Sequence, residues 1–191
     1  RDTKCCAAFH GILEAVGISL QMPVEKIERC LAEVGIAFLF APQFHPAMKY
    51  AMPARKQIPA RTIFNILGPL CNPARATHQL IGVFEPALPG IVASVLGQLG
   101  TTHAVAVHGN DGLDEVTLTD QTLVADYRNG TLEEYQITPE EFGFKRVSLD
   151  ALLGGEVSDN LQILLEVLNG RPGAHRNMVV LNAAVALYAA D

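Results

Sequence analysis

Three segments carry side chains whose types and spacing can do chemistry. The first is H-P-A-M-K at 45–49, followed by Arg55 and Lys56. One imidazole and several cations beside a proline-shaped loop suit an anionic small molecule, because a guanidinium fork pairs a carboxylate through two parallel hydrogen bonds. Loop cations are also commonly just solvated, so this segment alone decides nothing. The second is R-T-I-F-N-I-L-G-P-L-C-N-P at 61–73. Gly68-Pro69 and Asn72-Pro73 predict two turns round a short apolar stretch, and backbone pinned this way can wall a flat pocket. An ordinary structured connection would read the same. The third is H-G-N-D-G-L-D-E-V-T-L at 108–118. There an apolar strand ends, a Gly-rich turn follows, and the adjacent carboxylates Asp114 and Glu115 come next. Ligands of open α/β sheets sit outside the carboxyl ends of strands. Two carboxylates in that place suit Mg²⁺, which takes one or two of them plus waters and substrate phosphates. A bare Asp-Glu pair is otherwise a solvated acidic turn.

These segments need a scaffold, and the periodicity supplies one. A helix is predicted over 23–34, with Pro23 in its first turn, Val24, Ile27, Leu31 and Val34 on one face, and Gly35 as its stop. A second spans 158–169, from an N-cap at Ser158 to Gly170 with Pro172 just beyond. A third covers 87–98, and a last one runs from about Asn177 to Ala190, apolar nearly all round and therefore expected to be buried. Short apolar runs at 36–40, 80–84 and 104–107 suit strands buried on both faces. Thr117, Leu118 and the segments 122–127 and 131–136 read as a more exposed hairpin turning at Asn129-Gly130. The stretch from Ala41 to His78 shows no clear periodicity; its apolar content argues for a functional loop rather than disorder. The class is α/β: a mainly parallel sheet flanked by helices, with an antiparallel hairpin appendage. The reading treats 1–191 as one partial domain.

Composition narrows the partners. A net charge of −6 repels a phosphate backbone, so nucleic acid is not expected. The four cysteines, Cys5, Cys6, Cys30 and Cys71, form no C-x-x-C pair, which speaks against a zinc ribbon or redox motif and fits a reducing compartment. The longest apolar run, Met178 to Ala190, has 13 residues and is interrupted by Asn182, too short to cross a bilayer. A cytoplasmic protein without a membrane partner is the expectation.

Taken together, F-L-F-A-P-x-x-H-P-A-M-K, R-T-I-F-N-x-L-G-P-L-x-N-P and G-x-D-E, in this order and spacing, resemble the anthranilate phosphoribosyltransferase family from roughly Gly11 to Asp191. The resemblance implies a nucleoside phosphorylase/phosphoribosyltransferase-type large domain. It implies a reaction in which the amine of anthranilate displaces pyrophosphate from C1 of phosphoribosyl pyrophosphate, within tryptophan biosynthesis. It implies Mg²⁺ as the metal that steadies the leaving group. By the same resemblance Arg55 matches the arginine holding the anthranilate carboxylate, His45 and Pro69 match residues lining the anthranilate path, and Asp114 and Glu115 match the acidic pair that holds the metal. No residue is assigned as a general base. The family is homodimeric.

The departures lie at the start of the chain. The family's G-T-G-G-D loop, its N-x-S-T segment and its K-H-G-N run do not occur in these 191 residues, nor does the small helical domain that makes the dimer contact. Arg1 stands at the arginine that follows K-H-G-N in the family, where it would serve phosphoribosyl pyrophosphate. A Ser-rich loop then follows in the family, whereas here 2–11 read D-T-K-C-C-A-A-F-H-G. Cys, Ala and Phe cannot supply hydroxyl hydrogen bonds to a phosphate. The expectation is weak binding of phosphoribosyl pyrophosphate and little or no turnover by this polypeptide alone. Two alternatives use the same residues: a pyrimidine nucleoside phosphorylase-like enzyme, and a non-catalytic binding module of the same fold.

Overall fold

The computed structural model describes residues 2–58 and 62–191, with side chains from Phe9 onward except those at 54–56 and 59–61. The chain divides into two compact units, 1–65 with 154–164, and 66–153 with 165–191. The expectations that fall on Arg1 and on the Arg55 side chain lie outside the described residues.

The second unit holds the sheet. Strands β1 (His78–Gly82), β2 (His103–Gly109), β3 (Thr122–Arg128) and β4 (Thr131–Ile137) lie in the order β1-β2-β3-β4. β1 and β2 pair in parallel, from His78 opposite His103 to Gly82 opposite Val107. β2–β3 and β3–β4 are antiparallel. The α/β class and the appended hairpin are borne out, and the sheet is mixed, with its parallel part confined to one pair. Helix α6 (Leu88–Gln98) connects that parallel pair, as a parallel crossover requires. β2 is buried along its whole length, and its alternation splits the core in two. Val105 and Val107 join Val116, Leu118 and Val124 beneath helix α8 (Ala174–Ala189). Ala104 and Ala106 face the other way, against Val92, Ala93 and Leu96 of α6. Small residues on that face let α6 approach closely. At Gly97 an added Cβ would stand 2.1 Å from the Tyr127 ring. Gly97→Ala would gain up to ~1 kcal/mol of helix propensity, yet we expect it to lower stability by roughly 1–3 kcal/mol, because the ring has to leave its place. A thermal melt decides the sign.

The Asn129-Gly130 hairpin forms as expected: both residues take positive φ, +50° and +91°, the backbone that a two-residue turn of this kind demands. Thr117 and Leu118 are not part of it. Both are fully buried in the loop that precedes β3. Helix α8 buries one stripe, Met178, Leu181, Val185 and Ala189, and leaves Val179, Val180, Leu187 and Tyr188 exposed. That corrects the expectation of burial all round: one stripe of the helix enters the core and much of the rest is open.

The first unit is helical. Helices α1 (Asp2–Ala15), α2 (Val24–Val34), α3 (Ala41–Phe44) and α4 (Met48–Gln57) precede α5 (Phe64–Leu70). α2 stops at Gly35, which caps it with φ +84°. Pro23 is its N-cap, one position earlier than expected. Helix α7 (Val157–Leu168) ends before Gly170, whose φ is +76°. Three expectations need correction. Residues 2–11 form most of α1 rather than a loop. The run 36–40 has no ladder among the described residues; its Phe38 and Phe40 rings meet Phe9 at 5.9 Å and His10 at 4.9 Å instead. Local β preference cannot create a strand without a neighbouring edge to bond. The irregular stretch from Ala41 contains three short helices, α3 to α5, which proline punctuation at 46, 53, 69 and 73 keeps too short for a visible period.

Candidate functional site

Strand β2 ends at Gly109 in the middle of the sheet, and the next ten residues carry the acidic pair beyond its carboxyl end. The parallel ladder runs on past β1, with the Val83 N–H donating to the Val107 carbonyl at 2.9 Å. His108 donates through Nδ1 to the Val83 carbonyl at 2.8 Å. Gly112, at φ +87°, donates to the Gly109 carbonyl at 2.8 Å, and Gly109 in turn donates to the Leu113 carbonyl at 2.8 Å. This closes a tight turn that only glycine makes without strain.

Asp111 organises the inside of that turn. Its Oδ1 accepts the Leu113 N–H at 3.0 Å. Its Oδ2 accepts the Thr117 hydroxyl at 2.5 Å and the Thr119 hydroxyl as well. The Thr117 N–H goes to the Thr122 hydroxyl at 3.0 Å. Val116, Thr117 and Leu118 are buried to 1% exposure or less. The loop is therefore anchored in the core on one side and presents Asp114 and Glu115 to solvent on the other.

Asp114 and Glu115 open onto a cavity of about 470 Å³, floored by Leu80, Gly82 and Val107 and walled by Met178, Asn182 and Ala186 of α8. Gly82 is required here by contact: a Cβ at this position would lie 1.5 Å from the Asp114 carbonyl oxygen. The Glu115 carboxyl is pushed above the usual carboxylate range, first by desolvation and then by the charges of Asp114 and Asp111. By surface area the residue is exposed, so solvent screens part of that effect. A cation beside the Glu115 carboxyl would offset the burial and the nearby charges that act on it. Among the described residues no group of three or more His, Cys, Asp or Glu is placed to hold a metal ion. Two adjacent carboxylates by themselves would leave coordination positions for water and phosphate oxygens.

The other expected residues are placed as follows. His45 caps the end of α3, half-buried, with its N–H on the Ala41 carbonyl at 3.0 Å. Pro69 lies inside α5 rather than in a turn. It lines a different cavity, of about 440 Å³, with Asn72, Arg75 and Thr101. The turn at Asn72-Pro73 does form, with the Asn72 side chain accepting the Ala74 N–H at 3.0 Å. The structure thus brings Asp114 and Glu115 together on one cavity and sets Pro69 on another. Sequence reasoning passed over Asp111, Gly82 and Asn182 as parts of the site. Asp111 was visible as an acid in a Gly-rich turn and Asn182 as the polar interruption of the apolar run from Met178 to Ala190. Gly82 carried no signal of its own.

Residues 10–191 match the family described as "Glycosyl transferase family, a/b domain". The chain is 51% identical over 190 residues to an anthranilate phosphoribosyltransferase of Laribacter hongkongensis, covering 100% of this chain and 56% of that protein. It is 50% identical over 191 residues to the one of Chromobacterium violaceum, again over 56% of that protein. The chain therefore spans about half the length of the curated relatives it matches. The crystal structure of anthranilate phosphoribosyltransferase from Thermus thermophilus superposes with a TM-score of 0.87 at 39% identity, over 94% of this chain and 53% of that one. The Saccharomyces cerevisiae enzyme in complex with PRPP and Mg superposes with a TM-score of 0.85 at 26% identity, over 95% and 52%. Among the described residues no helix is long and apolar enough to cross a membrane. By sequence and by fold, the chain belongs to the glycosyl transferase family, as its a/b domain, and its similarity within that family runs to the anthranilate phosphoribosyltransferases.

Proposed function

We propose that this chain supplies the anthranilate loop and the metal-diphosphate loop of an anthranilate phosphoribosyltransferase, a cytoplasmic enzyme acting on anthranilate and phosphoribosyl pyrophosphate and dimeric as a whole protein. The observation that carries the reading is the acidic pair Asp114-Glu115, rigidly held at the exit of the parallel strands in a chain 51% identical to such an enzyme. In this reading Arg55 holds the anthranilate carboxylate, His45 and Pro69 line the way to it, and Asp114 and Glu115 hold Mg²⁺. When bound, Mg²⁺ neutralises charge on the departing pyrophosphate and orients it. The protein's own contribution is placement. Asp111 and Gly82 fix the loop so that the two carboxylates are set before the ligand arrives, and no reorganisation is needed at the moment of transfer.

Assayed alone, the 191-residue polypeptide is expected to turn over little, because 2–11 offer no run of hydroxyls for phosphoribosyl pyrophosphate; in this reading Arg1 is the residue beside that segment that meets phosphoribosyl pyrophosphate. Binding is the sharper test. Anthranilate, followed by its own fluorescence, should bind in preference to thymidine and uridine, and Arg55→Ala should weaken it about tenfold or more, the loss of one charge-assisted pair. Preference for the nucleosides would move the assignment to a pyrimidine nucleoside phosphorylase. Absence of binding to all three would leave a non-catalytic module.

A further inference from the structure

We infer that Asn182 is a positioning residue for the metal loop, clamping it to α8 through a two-way amide contact; the inference rests on the metal role proposed for Asp114 and Glu115. Asn182 sits on α8, between the buried Leu181 and the cavity wall at Ala183. Its Oδ1 accepts the Val116 N–H at 2.9 Å, and its Nδ2 donates to the Val116 carbonyl at 2.8 Å. The second Nδ2 hydrogen goes to the Met178 carbonyl at 3.0 Å, one turn back in the helix. Every hydrogen of the amide is used, and the arrangement has one sense only. A flipped amide would face its NH₂ to the Val116 N–H and its oxygen to two carbonyls.

This is a side chain imitating a neighbouring strand: it satisfies both backbone groups of one residue, as a ladder would. The residue it holds follows Glu115 directly. Asp111 grips the loop through Leu113, Thr117 and Thr119, so Val116 is the point those bonds do not reach, and Asn182 supplies it. Leucine would leave both Val116 groups unpaired, and aspartate would set an oxygen against the Val116 carbonyl. Outer contacts of this sort orient metal ligands, and their removal typically weakens metal binding 10–100-fold.

The test uses Mn²⁺ as the probe, read by its electron paramagnetic resonance, on the full 191-residue chain. Asn182→Ala is expected to raise the Mn²⁺ dissociation constant at least about tenfold and to speed hydrogen exchange at the Val116 amide. Leu181→Ala, a core truncation beside it, should lower the melting temperature yet leave Mn²⁺ affinity within about twofold of the parent. Asp114→Asn reports on the underlying reading. If it leaves Mn²⁺ binding unchanged, or if the parent chain binds none, the metal assignment fails and takes this inference with it. If Asp114→Asn abolishes binding while Asn182→Ala does not alter it, or if Leu181→Ala weakens Mn²⁺ as much as Asn182→Ala, the clamp is structural only and the positioning role is overturned. A chain in which Asn182→Ala fails to fold is replaced by Asn182→Asp, for which the same tenfold weakening is required.

Discussion

Gly82→Ala is expected to lower the melting temperature by roughly 6–12 °C and to abolish Mn²⁺ binding at the acidic pair. The cause is a single contact. A methyl at this position would stand 1.5 Å from the Asp114 carbonyl oxygen, far inside van der Waals contact, and the obstacle is backbone rather than a side-chain tip that could swing away. Either β1 or the loop has to shift. β1 is held by its pairing with β2, so the loop gives, and it carries both carboxylates with it. Overpacking of this kind costs about 3 kcal/mol at the upper end of its usual range, and one kcal/mol corresponds to roughly 2–4 °C in a chain of this size. Calorimetry together with a Mn²⁺ titration reads both effects. A variant that melts with the parent and binds Mn²⁺ equally well would show that Gly82 and Asp114 do not touch in solution.

The double variant Asp114→Asn/Glu115→Gln is expected to separate metal binding from folding. Mn²⁺ affinity should fall at least about 100-fold, since even outer-sphere changes cost 10–100-fold. The metal-free protein should melt no lower than the parent at neutral pH, because the fold raises the Glu115 pKa through desolvation and the nearby charges of Asp114 and Asp111. The sign follows from linkage. A group whose folded pKa lies above its unfolded value stabilises the fold fully below the unfolded value, near 4.5 for Glu115. That contribution is lost as pH rises through the higher folded value. At neutral pH the ionised Glu115 therefore works against the fold, and Mg²⁺ or Mn²⁺ should raise the melting temperature of the parent and leave that of the double variant in place. Loss of cooperativity in the double variant would mean that the carboxylates hold the loop together, contrary to the bonds made by Asp111 and Asn182.

Much of this protein follows from local physical chemistry. Gly35 and Gly170 end helices because their backbone turns left-handed, and Asn129-Gly130 closes its hairpin for the same reason; neighbouring residues alone determine such features. The chemistry of the segments was likewise legible. An acidic pair after a Gly-rich turn suits a cation wherever it is placed, and the long motifs carried the family resemblance. What tertiary structure decided is where each local preference found a partner. The run 36–40 has the composition of a strand, yet aromatic contacts with Phe9 and His10 took it instead. Pro69 and the acidic pair, both marked by their motifs, line separate cavities. Asn182 stood out as a polar residue in an apolar helix, but its partner Val116 is 66 positions away, and nothing local names it. Gly82 was silent, because its necessity comes from a backbone oxygen of a distant loop. Residue types set which interactions are available; only the folded chain brings donor and acceptor, or glycine and carbonyl, to the few ångströms at which those interactions act.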